Sequence, residues 1–293
     1  MPVKTSSHHA QTESEAILLA MLEDIFTGDI TTDATVPSGH RSTGIIRAKS
    51  DGVIAGVRVA KLIFASSKFK MQFKTFFQDG SSVRAGDVIA EVQGSTSVLL
   101  QCERTVLNFM QRMSGIATRT REFTEAVEGT QAKILDTRKT APALRLFDKE
   151  AVKLGGGTNH RFGLYDLMLI KDNHVDAAGG ISEAIAQGKA YRKKKNLKVR
   201  IEVEVRSLGE LREAVAATPE IILIDNFSPA ELRKAVATAR SINPQILLEA
   251  SGGVNLKTVR RIAETGVDFI SVGELTHSVT AMDISMKIIP LVK

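Results

Sequence analysis

"RIEVEVRSLGELREAVAATPEIILIDNFSPAELRKAVATARSINPQILLEASGG", residues 200–253, alternates between two hydrophobic periods. The runs "RIEVEV", "EIILIDN" and "QILLEASGG" are short and rich in β-branched residues, as buried strands are. Between them, "SLGELREAVAAT" and "SPAELRKAVATARSI" space apolar residues three and four apart, the pattern of an amphipathic helix. The punctuation agrees: Ser207 and Ser228 stand at N-cap positions, and Pro229 falls in a first turn. Strands separated by single helices of this length pair in parallel through right-handed crossovers.

The same alternation extends in both directions. "AKILDT" (132–137) and "DLMLIKD" (166–172) are strand-like, as is "DFISVGEL" (268–275). "ISEAIAQGKAYRKKK" and "NLKTVRRIAETG" are helix-like, the latter with Asn255 as its expected N-cap and Gly266 as its end. Six or seven strand–helix units suggest an α/β, TIM-like parallel barrel over residues 115–293, closing on a C-terminal helix. Residues 1–114 differ. Short β-rich pieces ("TGIIRAKS", "MQFKTFF", "DVIAEVQG") are broken by glycines, with helix candidates at 12–26, 57–66 and 102–117, which suggests a smaller N-terminal α+β domain. The piece "DGSSVRAGDVIAEVQG" resembles a lipoyl or biotinyl carrier hairpin but lacks the lysine that is modified there, so a plain hairpin is expected.

Composition narrows the classes. With 43% hydrophobic and 25% charged residues in 293, the chain reads as an ordinary globular protein. Its one cysteine, Cys102, excludes an intramolecular disulfide and suits a reducing, cytoplasmic setting. The apolar run "AILLAML" is flanked by Glu13, Glu15, Glu23 and Asp24, the wrong neighbours for a secretion signal, and is read as an amphipathic helix. Nowhere do roughly 18 apolar residues run together, so no membrane span or membrane partner is expected. The net charge of +6 would attract phosphates or small acids as well as polyanions. The run "YRKKKNLK" follows a helix, where cations favour the C-terminal dipole, and it lacks interleaved aromatics, so no nucleic-acid partner is expected.

The chemistry-bearing residues fall together. Asp136, Lys171, Glu204, Asp225, Ser251 with Gly252 and Gly253, and Gly273 all lie at or near strand C-terminal ends, the active-site rim of a β/α barrel. Glu202 and Glu204 alternate with Val203 and Val205, which puts both carboxylates on the inward face. They would be either functional or paired with inward lysine or arginine. Asp225 could share a Mg2+ ion with Glu204 or simply cap the following helix. The glycine loops "EASGGVN" and "SVGEL" offer backbone N–H groups for a phosphate, or plain turns. In residues 135–175, Arg138, Lys139, His160, Arg161 and Lys171 sit on separate segments that a barrel brings to one rim, around Gly155–Gly157. Such a pocket suits a dianion, held by arginines bidentately and by lysines as compact charges. Arg145 and His174 are given no catalytic role.

Taken in order, "GDITTDATVP", "ERTVLNFMQRMSGIATRT", "DTRKTAPALR", "KLGGGTNHRFGL", "LMLIKDNHV", "IEVEV", "LIDNFSPAEL", "EASGGVN" and "ISVGELTHS" resemble the quinolinate phosphoribosyltransferase family, the decarboxylating transferases of de novo NAD synthesis. The resemblance implies a small N-terminal sandwich, an incomplete α/β barrel, and a homodimer, open to further assembly, in which the sandwich covers the partner's barrel mouth. It also implies quinolinate and phosphoribosyl pyrophosphate as substrates, with Mg2+. Quinolinate binding is implied for Arg138, Lys139, His160, Arg161 and Lys171, with Arg104 reaching in from the neighbouring subunit. Metal and ribose fall to Glu204 and Asp225, and phosphate to Ser251, Gly252, Gly253 and Gly273. Lys139, Lys171, Glu204 and Asp225 are the implied catalytic set. Without the resemblance Arg104 reads as a helix-surface residue. Two departures stand out: Ala141 and Ala143 flank Pro142 where the family usually has Thr-Pro-Gly, and Glu274 occupies a position more often small or neutral, so its side chain is expected to turn away. The alternative readings are a nicotinate phosphoribosyltransferase or a molybdenum-transport accessory protein of the same fold.

Overall fold

The computed structural model describes residues 5–291. In chain order, α1 (Thr5–Ile25), α2 (Ile30–Thr35), β1 (Arg41–Ala48), β2 (Gly52–Val53), α3 (Val57–Ala65), β3 (Gln72–Thr75), β4 (Ser82–Val83) and β5 (Val88–Ser95) precede the long α4 (Thr96–Ala126). Then come β6 (Lys133–Leu135), α5 (Arg145–Leu154), β7 (Met168–Ile170), α6 (Asp172–Ala178), α7 (Ile181–Lys195), β8 (Ile201–Val205) and α8 (Leu208–Ala217). The chain finishes with β9 (Ile221–Asp225), α9 (Pro229–Ile242), β10 (Leu247–Ser251), α10 (Val259–Ala263), β11 (Phe269–Ser271), α11 (Glu274–His277) and β12 (Ile284–Pro290). These elements form two compact units.

One unit takes residues 122–139 and 157–277. Its six parallel strands lie in the order β6-β11-β10-β9-β8-β7, with helices α6 to α10 between the successive strands from β7 to β11, an incomplete α/β barrel. Thr158 adds a single parallel bridge to Leu135 on the outer edge of β6. Ile134, Val203, Ile222, Ile224, Leu248 and Ile270 are fully or almost fully buried. Each stabilises the fold by about 1.5–3 kcal/mol relative to exposure. The helices start where their caps dictate. Ser207 Oγ accepts the Glu210 N–H at 3.1 Å. At α9, Ser228 and Glu231 form a reciprocal capping box with Pro229 behind it. Asn255 behaves differently from expectation: its Oδ1 accepts the Lys257 N–H at 3.0 Å and makes a turn, so α10 starts only after Thr258. The basic run "YRKKK" forms the last turn of α7, where Arg192 Nη1 donates to Glu220 at 2.7 Å.

The other unit takes the residues up to 121, 140–156 and those from 278 onward. Its antiparallel sheet has the order β12-β1-β5-β3. The C-terminal helix expected from the sequence is instead strand β12, whose Met286 pairs with Ile46 of β1. The physical reason is a period of two: Ile284 and Met286 are buried while Lys287 is exposed, an alternation that suits a half-buried strand. The expected hairpin also resolves otherwise, since β4 pairs with β2 while β5 pairs with β1 and β3. Gly86, at φ +97°, makes the turn between them, and Asp87 Oδ2 accepts the Arg84 N–H at 2.8 Å. Two helix candidates proved longer, one reaching back to Thr5 and the other running from Thr96 to Ala126, so the expected boundary at 114/115 falls within α4.

Candidate active site

The strand C-terminal ends of the barrel unit surround a polar cavity of about 650 Å³. Parallel register sets their depth: Ser251 pairs with Asp225, and Glu204 lies beside Leu223, so Glu204, Asp225 and Ser251 occupy adjacent strand ends. Arg138, Lys139, His160, Arg161 and Lys171 all line this cavity, as do Glu204, Asp225, Ser251, Gly252, Gly253 and Gly273. Glu274 lines it too, opening α11. Arg104 does not; it is exposed on α4 and borders a separate groove with α1 and Pro142 to Leu144, within the other unit.

Local chemistry holds each side chain. Lys139 is fixed through its backbone, its N–H donating to Thr137 Oγ1 at 3.1 Å and its carbonyl accepting from Thr276 Oγ1 at 2.9 Å. Gly273 leaves room for it, because a Cβ there would lie 3.2 Å from Lys139 Cδ and 3.1 Å from the His277 ring. Lys171 Nζ donates to Glu204 Oε2 at 3.2 Å, so the inward carboxylate expected on β8 has a lysine partner. Asp225 Oδ2 accepts from Asn226 Nδ2 at 2.6 Å. Asn226 is clamped in turn by Gly252: at φ +96°, with an added Cβ only 2.1 Å from Asn226 Oδ1, that position admits glycine alone. His174 Nδ1 accepts the Lys171 N–H at 3.0 Å, and Arg145 Nε donates to Thr140 Oγ1 at 3.1 Å.

Beneath the cations lie carboxylates. Glu202 and Glu249 are buried, with oxygens 3.1 Å and 3.5 Å from His160 Nε2. Burial, and then the charge of Glu249, push Glu202 up to about 7. Burial pushes the His160 imidazole down and the two facing carboxylates push it up more strongly, so the three groups together hold a proton tightly. The Arg161 N–H, however, is directed at Nδ1 at 2.7 Å and opposes a second ring proton. We therefore assign a neutral ring with its hydrogen on Nε2, and a proton shared between the carboxylates. Arg161 lies in a basin of positive charge, where burial and then Arg138 lower its pKa. Sequence reasoning missed Glu249, Ser271, Asn226 and His277 in this cavity. For Glu249 a signal was present, a carboxylate alternating with apolar residues in "LLEAS".

Residues 116–287 match the family model of the quinolinate phosphoribosyl transferase C-terminal domain, and residues 29–114 that of its N-terminal domain. The chain belongs to the quinolinate phosphoribosyltransferase family. A Nicotiana tabacum protein named quinolinate phosphoribosyltransferase [decarboxylating] 2b, mitochondrial, is 42% identical over 98% of this chain and 85% of its own length. An Arabidopsis thaliana nicotinate-nucleotide pyrophosphorylase [carboxylating], chloroplastic, is 43% identical over 98% and 86%. Among solved structures, the nicotinate-nucleotide pyrophosphorylase from Francisella tularensis superposes with a TM-score of 0.88 at 37% identity, covering 95% of this chain and 96% of its own. Human nicotinic acid phosphoribosyltransferase, at 11% identity and a TM-score of 0.65, shares the fold alone. At Ala143, where the resemblance led to an expectation of glycine, the backbone adopts φ +62°, the state that glycine would take without strain.

Proposed function

We propose that this chain transfers the phosphoribosyl group of phosphoribosyl pyrophosphate to quinolinate with loss of CO2, giving nicotinate mononucleotide and pyrophosphate. The observation that carries this reading is the convergence of Arg138, Lys139, Arg161 and Lys171 on one cavity, beside the carboxylates of Glu204 and Asp225 and the glycine loops of β10 and β11. The cations suit a pyridine dicarboxylate, and the Ser251 to Gly253 and Gly273 loops suit the ribose phosphate. Hard carboxylate oxygens on adjacent strand ends fit Mg2+, which is usually held by one or two carboxylates together with substrate phosphates. Glu204 and Asp225 would hold it, and when bound it would supply neutralisation of the pyrophosphate charge.

In this scheme the basic cluster orients the pyridine nitrogen toward the anomeric carbon. The carbon–oxygen bond to pyrophosphate breaks, and the nitrogen lone pair forms the new bond to ribose. The quaternised nitrogen then stabilises the electron pair left on the adjacent ring carbon when its carboxylate departs as CO2, and that carbon takes up a proton. Orientation of this kind lowers the barrier by about 7–11 kcal/mol. Lys139 and Lys171 are the cationic members of the catalytic set, Glu204 and Asp225 its acidic members. His160 contributes at the edge of the quinolinate pocket. A homodimer with shared sites is part of this reading, with Arg104 supplied by the partner subunit. Supporting it are the exposed Leu18, Leu19 and Leu22 of α1, in the same unit as the groove that Arg104 borders. No helix among the described residues is long and apolar enough to cross a membrane. With the single buried thiol of Cys102, that supports a cytoplasmic setting.

The test offers quinolinate and nicotinate separately with phosphoribosyl pyrophosphate and Mg2+, detecting mononucleotide and CO2. Product from quinolinate with one CO2 per turnover, lost on chelation and restored by Mg2+, is the expected result. Product from nicotinate alone would overturn the dicarboxylate reading.

A further inference from the structure

Three buried carboxylates on three different strands or their ends converge on one residue. Asp136, just after β6, accepts the His160 backbone N–H at 2.8 Å. Glu202 of β8 and Glu249 of β10 face the His160 ring at 3.1 Å and 3.5 Å. Glu249 also accepts a hydrogen bond from the hydroxyl of Ser271 on β11. Asp136 and Glu202 are 0% exposed, and Glu249 is 1% exposed. Apart from the His160 ring N–H at 3.1 Å and the proton shared between the two side chains, neither oxygen of Glu202 nor Oε2 of Glu249 has a hydrogen-bond partner in the protein. Burying carboxylates so poorly compensated costs several kcal/mol each, and leucine or methionine would fill such inward positions without that cost. Stability therefore does not account for them.

The three ligating atoms of His160, Glu202 and Glu249 are close enough together to surround a cation. The hydrogen-bond geometry opposes this use. With Nδ1 accepting the Arg161 N–H, the ring hydrogen sits on Nε2, and its lone pair is not available to a metal. What the ring does hold is Arg161. The backbone N–H of Arg161 donates to His160 Nδ1, which fixes where its side chain leaves the main chain, and its Nη1 donates to the Leu167 carbonyl at 3.3 Å, which holds the guanidinium along the cavity wall.

We infer that Asp136, Glu202 and Glu249 form a buried platform of positioning residues that locks the His160 backbone and ring and, through them, sets the Arg161 guanidinium for a substrate carboxylate. Glu202 of the platform, together with Asp166, also offsets the positive charge of Arg161, so that Arg138 and Arg161 can share one wall despite their mutual repulsion. His160 and Arg161, which the platform holds, stand on a segment separate from the glycine loops Ser251 to Gly253 and Gly273, although Glu249 and Ser271 lie two residues before those loops. This inference rests on the proposed quinolinate reaction and adds to it the residues that set acid recognition.

The test compares wild type with Glu202→Gln, Glu249→Gln and the milder Ser271→Ala, measuring KM for quinolinate and for phosphoribosyl pyrophosphate separately, together with kcat and Tm. The expected result is a quinolinate KM raised about 10-fold or more in the glutamine variants, in line with the cost of a small misplacement, while the other KM stays within about twofold. Ser271→Ala should shift the same constant by less, and it keeps the inference testable if a glutamine variant does not fold. Tm is expected to hold or rise, because a buried charge is removed. An unchanged quinolinate KM, or equal rises in both constants, would overturn the platform while leaving the reaction standing. A wild-type protein inactive on quinolinate would overturn the reaction first and the platform with it.

Discussion

Ala143 illustrates how one residue can carry strain without losing the conformation. Its φ of +62° costs an L-residue about 1–2 kcal/mol, and glycine would avoid that at an entropic penalty of about 0.5–1 kcal/mol. Ala143→Gly is therefore expected to stabilise the protein by about 0.5–1 kcal/mol, read as a raised Tm; a lowered Tm would mean that the loop is not strained there. At the cavity, Lys139→Ala and Arg161→Ala each remove a charged hydrogen-bonding group. Each is expected to lower kcat/KM for quinolinate by about 10- to 150-fold, the equivalent of roughly 1.5–3 kcal/mol. Either variant with unchanged kcat/KM would remove that residue from the site. These positions were legible because charge next to glycine at strand ends is rare in surface runs. Glu249 had only the weak signal of a carboxylate in an apolar run, which gains meaning when the fold sets it 3.5 Å from His160 Nε2.

At the scale of elements, the close pairing of α4 with α5 depends on Gly155, which caps α5. A Cβ there would stand 2.4 Å from the Ala117 carbonyl oxygen and 2.6 Å from Thr120 Cβ, so no side chain fits without moving a helix. Because φ is −75°, the objection is purely steric. Gly155→Ala should cost about 1–3 kcal/mol, read as a lowered urea midpoint with an unchanged slope. An unaltered midpoint would show that the two helices separate freely. The triple glycine of the sequence thus divides its work: Gly155 allows close packing, while Gly156, at φ +94°, allows the turn that follows. The parallel strands were readable one by one from their period. The pairing of β4 with β2 was not, because two-residue strands carry no periodic signal.

For the whole molecule, a shared-site homodimer makes a quantitative prediction. Arg104→Ala and Lys171→Ala proteins, each inactive alone, should regain activity when unfolded together and refolded as a mixture. If the subunits assort evenly, half the dimers are mixed and each has one intact site, so about a quarter of wild-type activity should return. No recovery, with mixed dimers demonstrated by mass, would place Arg104 outside the site. The exposed leucines of α1 give the same expectation a second readout, since Leu19→Glu should weaken the dimer in analytical ultracentrifugation.

The sequence by itself determined the strand and helix alternation of residues 132–275, the helix caps at Ser207 and Ser228, and the cations and carboxylates that belong at strand ends. Those features are local: hydrophobic period, cap chemistry and strand polarity act over a few residues and need no partner to be read. Only the tertiary structure decided that Ile284–Pro290 completes the sheet of β1, and that Asp136, Glu202 and Glu249 meet at His160. Both depend on pairing between residues far apart in the chain, where burial and register choose among partners that local pattern leaves equivalent.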